Sequence, residues 1–200
     1  MPVPRTVGET LADLLDELQD RVHREISDLN QDDLYWRPDP GGNSCGATVW
    51  HFTRWLDVIS VRLLDGLTSD QEIWFAEGWA RRTAYDPRGL GEGGLGVLTG
   101  YSIEEVLKIP RQSSALLLEY LEQVASRLQP QLLACNLSAL YSDAPGVAVM
   151  DARAAVTGRK NTYGWIRLII LGSFQHLGEV AAIVATRRRL QSSGRHSSLR

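Results

Sequence analysis

Apolar residues return every three or four positions at Leu11, Leu15, Leu18, Val22, Ile26 and Leu29, with Asp, Glu, Arg and Gln between them. This period puts them on one stripe of an amphipathic helix. His23 flanks the stripe and is expected at the surface. The next stretch, DLYWRPDPGGNSCG, holds two prolines and three glycines, so it cannot continue the helix and turns the chain. A second helix is predicted from Ser44 as N-cap to about Asp65, ending before Gly66. Val49, Phe52, Leu56, Ile59 and Leu63 form its main stripe. His51 lies roughly 100° around from Phe52, in line with Trp55 and Val58, so the apolar arc is broad.

Residues 67–110 form a long excursion with Trp74, Trp79, Tyr85 and the run GLGEGGLG. Connections of this length are usually functional or pack over a site. Gly89 to Gly94 matches GxGxxG, but no apolar strand precedes it and no helix follows directly. It reads as a loop with turns, not a dinucleotide site. Ser102 with Glu105 makes a capping box for a short helix. The stripe Leu117, Leu121, Val124 and Leu128 marks a third long helix, expected to stop at Pro130. Residues 131–160 show no clear pattern, and a last helix is predicted from Thr162 to Arg189. With no strong period-two segment, the pattern predicts an all-α four-helix bundle with long connections after the second and third helices. One domain is expected over 1–190, followed by a flexible basic tail at 191–200.

The chain has 200 residues and a formal net charge of −3, which provides no footprint for nucleic acid. Its arginine cluster, Arg187 to Arg189, suits a helix C-terminus, and His196 belongs to the tail. Two cysteines, Cys45 and Cys135, and an N-terminus without the order of a signal peptide point to a reducing, cytoplasmic setting. The longest apolar stretch, Gly164 to Ala185, is interrupted by Arg167, Gln175, His176 and Glu179. It reads as a bundle helix, not a membrane span. Wide apolar arcs also suit a symmetric homodimer.

Chemistry is expected where His51 and His176 sit mid-helix among apolar residues. A buried imidazole needs a partner: a metal ion, a carboxylate, a backbone carbonyl or water. A hydrogen-bonded core histidine is the plain alternative for each. Ile169, Gly172, His176, Glu179, Val180 and Ile183 share one row of the last helix. Gly172 leaves a hole one turn before His176. This helix is apolar almost all round, so it is expected at the centre of the bundle. Glu179 suits either a metal ligand or a group that orients His176. Arg54 suits a partner carboxylate or anion, or a solvated surface. Trp74 and Trp79 are core packing or walls of a pocket.

LYWRPDPGGNSCGATVWHFTRWLD, with a tryptophan before its histidine, and the later His176-Leu177-Gly178-Glu179 together resemble the DinB-like (DinB/YfiT) superfamily of four-helix bundles. The resemblance extends in order and spacing over nearly the whole chain before the arginine tail. It implies a divalent metal, zinc or nickel, held by one histidine on the second helix and two on the last at i, i+4. His51 and His176 match two of those positions, and the third falls on Gly172. Glu179 would complete the set as third ligand; Asp57 and Cys45 are poorer candidates. The resemblance further implies a thiol-S-transferase type of activity, using a low-molecular-weight thiol such as bacillithiol or mycothiol, or a thiol-dependent isomerase. There the metal lowers the pKa of the thiol for attack on a small-molecule substrate. The alternatives are a metal-free small-molecule-binding protein with a degenerate site, and a dimeric interaction protein.

Overall fold

The computed structural model describes residues 3–146 and 161–197, with side chains to residue 193. Helix α1 (Val7–Ile26) starts at a Thr6–Glu9 capping box, and α2 (Gln31–Leu34) is one turn capped by Asn30. Helix α3 (Cys45–Val58) is capped by Ser44, as the sequence predicts. It continues as a π-helical segment, Ile59–Leu64, and the chain turns at Gly66 with φ 67°. The excursion contains short helices α4 (Ile73–Ala76), α5 (Trp79–Thr83) and α6 (Ile103–Leu107), the last on the expected Ser102–Glu105 capping box. Helices α7 (Ser114–Leu133), α8 (Leu137–Tyr141) and α9 (Thr162–Ser197) complete the described chain. The GxGxxG stretch is a loop in which Gly89, Gly91, Gly93 and Gly94 all have positive φ.

The four long helices pack in a ring: α1 against α7, α7 against α3, α3 against α9, and α9 back against α1. Leu15, Leu18, Val22 and Ile26 of α1 are fully buried, as their spacing requires. Gly8 lets α1 meet the end of α7 closely; a Cβ there would lie 2.4 Å from Leu133 O.

Three expectations change. Pro130 lies inside α7, which runs on to Leu133. Its missing N–H deprives only the exposed Ser126 carbonyl, which water can serve, and the Pro130 carbonyl still accepts from Ala134 N at 3.1 Å. Helix α9 continues past Arg189 to Ser197. Arg187 and Gln191 both donate to Asp33 Oδ1, at 2.8 and 2.7 Å, tying this end of α9 to α2. The centre of the bundle is α3, not α9: every residue of α3 is buried, whereas Tyr163, Arg167, Leu171 and Ala182 of α9 are exposed. The excursion covers the outer side of α3 and leaves that side of α9 open. Helix α9 is long and apolar enough to cross a membrane, but its apolar residues Trp165, Ile166, Ile169 and Val180 are buried in the bundle. Residues 147–160 of the unassigned stretch, and the side chain of His196, lie outside what is described. His23 is exposed, as expected.

What fixes the excursion on α3 is a buried charge network. Arg54, Asp57 and Glu72 have fully buried side chains. Arg54 donates to Asp57 Oδ2 at 2.9 Å and to Glu72 Oε2 at 2.6 Å, and Arg62 of the π-helical segment pairs with Glu72 Oε1. Tyr120 of α7 donates to Asp57 Oδ2 at 2.8 Å. Asp57 also accepts from Ile73 N at 2.8 Å and Trp74 N at 3.0 Å, the first amides of α4. Two arginines and two carboxylates balance, so burial is compensated within the group. Burial alone would push the Arg54 guanidinium down, but Tyr120, Glu72 and Asp57 together raise it.

Arg54→Met leaves the buried carboxylates short of a cation, and urea denaturation is expected to show a loss of about 3–5 kcal/mol. At Asp33, the Arg187 hydrogen bond outweighs burial and, with Asn30 and Gln191, holds the carboxyl below its ordinary value of 3.8. Its stabilisation is therefore fully present above that value and is lost as pH falls through the lower folded value. Asp33→Asn should cost up to about 1 kcal/mol near neutral pH, a difference from wild type that closes in denaturation curves as pH falls through the lowered folded value.

Candidate functional site

Helices α3 and α9 bring His51 and His176 together. Their ring centroids are 4.7 Å apart and their planes are 83° apart. His51 is 8% exposed, while the His176 side chain is 33% exposed. Each ring is anchored through Nδ1. The His51 Nδ1–H donates to the Val97 carbonyl, and the His176 Nδ1–H donates to Glu179 Oε2 at 2.9 Å. A carbonyl and a carboxylate are both acceptors, so each Nδ1 carries a proton and each ring is held by that edge.

The two imidazoles line a cavity of about 240 Å³. Phe52, Trp55, Leu168 and Ile169 supply its apolar walls, and Thr99, Ser173 and Gln175 add polar groups. No Asp, Glu, Lys, Arg or Cys lines it among the described residues. Gly172 also lines the cavity, and a Cβ at this position would meet nothing within 4 Å. The hole anticipated one turn before His176 is therefore open space.

The other candidates lie elsewhere. Cys45 starts α3, with its Sγ directed to Val180 O at 3.8 Å, and burial pushes its thiol up to about 12. Asp57 caps α4, and Arg54 sits in the buried network instead of in solvent. Trp74 and Trp79 stack at 6.2 Å and pack around Tyr120, away from the pocket wall that Trp55 provides. Thr99, Ser173 and the Val97 carbonyl were not singled out from the sequence. Ser173 stands beside Gly172 and was open to recognition, whereas a backbone carbonyl contributed by a distant loop carries no residue signal.

His51, His176 and Glu179 thus assemble as two imidazoles and a carboxylate directed at the Nδ1 edge of one of them. A catalytic zinc site ordinarily uses three protein ligands and an open position. Among the described residues, no group of three or more His, Cys, Asp or Glu side chains is placed to hold a metal ion. Glu179 instead takes the role of a carboxylate that orients a histidine. The residues present therefore do not fit a three-ligand metal centre.

No protein with a curated description matches the chain. A crystal structure of a conserved protein from Enterococcus faecalis is similar, with a TM-score of 0.72 at 18% identity, covering 90% of this chain and 96% of that one; it supports the fold. Residues 14–180 match the DinB superfamily, a span that includes all four long helices in part or whole and both histidines. The chain belongs to the DinB superfamily.

Proposed function

We propose that the pocket between α3 and α9 binds a compact organic ligand directly through His51 and His176, without a three-ligand metal centre. The observation that carries this reading is the donor set: two imidazoles anchored at Nδ1, an orienting Glu179, and Gly172 in place of a third side chain. A cavity of about 240 Å³ falls below the roughly 300–1,000 Å³ of sites for drug-sized molecules. The ligand is accordingly small. With no formally charged Lys, Arg, Asp or Glu in the described lining, it is neutral or weakly acidic, and Phe52 and Trp55 favour a ring or another flat apolar part.

A thiol-S-transferase reading needs a metal to activate the thiol, and Cys45 is not placed to replace an external thiol. The two free cysteines accord with a reducing, cytoplasmic setting. The exposed Leu171 on α9, beside the partly buried Phe174, offers an apolar surface for a homodimer.

The test is a thermal-shift screen of tag-free protein against small phenols, thiols and aromatic alcohols, in parallel with zinc and nickel. Organic compounds are expected to raise the melting temperature; a ligand present at about 100 times its Kd adds about 2.7 kcal/mol. His176→Ala should abolish that response. One equivalent of tightly bound zinc or nickel in wild type would overturn the reading and return the metal-dependent transferase to first place.

Gly172→His places a third imidazole in open space, at i−4 from His176. Calorimetric titration with zinc is expected to show affinity at least about tenfold above wild type, or about 1.4 kcal/mol. No gain would mean that the pocket geometry, and not only the missing side chain, excludes the ion.

A further inference from the structure

Residues Gly96 to Thr99 form a short strap gripped by three α3 side chains that lie within one turn of each other. Arg54 Nε donates to Gly96 O at 3.3 Å, His51 Nδ1 to Val97 O, and Trp55 Nε1 to Thr99 Oγ1 at 3.3 Å. The strap is also pressed against neighbouring backbone: a Cβ at Gly96 would sit 2.5 Å from Pro87 O. Within the strap, Leu98 has φ 75°, in the left-handed region that Cβ disfavours. Ala84 is the other non-glycine residue there among those described, but it ends α5 as a left-handed C-cap, an ordinary use of that conformation. Leu98 ends no helix. It directly follows the carbonyl that anchors His51 and directly precedes Thr99, which lines the pocket.

We propose that Leu98 is a positioning residue for the pocket: its strained backbone aims the Val97 carbonyl at His51 Nδ1 and so fixes the tautomer and orientation of that ring. Strain of this kind persists only where surrounding contacts over-determine it, and here the α3 side chains supply those contacts. This role rests on the reading of His51 as a recognition group, but its test needs no ligand, so either can fail alone.

Leu98 is partly buried against the core, so every substitution removes some packing, and the choice of residue separates packing from backbone. Asn tolerates the left-handed region, whereas a β-branched residue resists it. Leu98→Asn and Leu98→Val are compared with wild type by ¹⁵N–¹H NMR of the imidazoles, reading the exchange of the His51 Nδ1 proton with water. Leu98→Asn is expected to keep exchange near the wild-type rate, and Leu98→Val to speed it about tenfold. Leu98→Gly, unrestricted in φ, should fall with Asn and provides a second strain-relieving variant. Packing alone orders the series the other way, because Val replaces Leu better than Asn does. Val closer to wild type than Asn and Gly, or no change at the His51 ring in any variant, would overturn the role.

Discussion

The structure depends on burying two positive and two negative charges beside α3 without leaving any of them uncompensated. Arg54 is the hinge of that arrangement, because it is fully buried and donates to two carboxylates on different segments. Asp57 on the same helix closes the group by capping α4 and accepting from Tyr120. The excursion between α3 and α7 is thereby fixed by directional bonds as well as by apolar contact. Removing one member would leave another buried without its partner, which is far costlier than losing an exposed ion pair.

The same helix carries this constraint to the pocket. His51 and Arg54, three residues apart, hold the consecutive carbonyls of Val97 and Gly96. The loop that the network fixes is therefore also the loop that orients an imidazole in the pocket wall. On the opposite side, α9 orients its own histidine locally through Glu179, one turn away. The pocket is thus built by long-range bonds on the α3 side and by a short-range pair on the α9 side.

Much of the fold was legible because helical period is written directly in the sequence. The stripes of α1, α3 and α7, the Ser44 cap, the Ser102 capping box and the stop at Gly66 all rest on local chemistry. What was not legible depends on which surfaces other segments cover. Helix α9 is the more apolar stretch, yet α3 is central because the excursion folds over it. Pro130 reads as a stop, yet near the end of a helix its lost hydrogen bond falls on an exposed turn. Arg54 and Glu72 meet across 18 positions, and nothing in either residue's neighbourhood announces the other. The histidine pair was legible through its resemblance to related bundles. The Val97 carbonyl was not, because a backbone acceptor has no identity in sequence, and the direction of Glu179 toward Nδ1 emerges only once the rotamers are set.

The central claim is that the two imidazoles are turned by a carbonyl and a carboxylate to meet a ligand, with no third side chain to complete a metal centre. A crystal structure of tag-free protein grown with excess zinc, with anomalous data collected on either side of the zinc edge, tests it most directly. The expected density keeps His51 on Val97 and His176 on Glu179, with no anomalous peak of full occupancy between the rings. A full-occupancy peak there, bound by both histidines with Glu179 swung in as a third ligand, would contradict it.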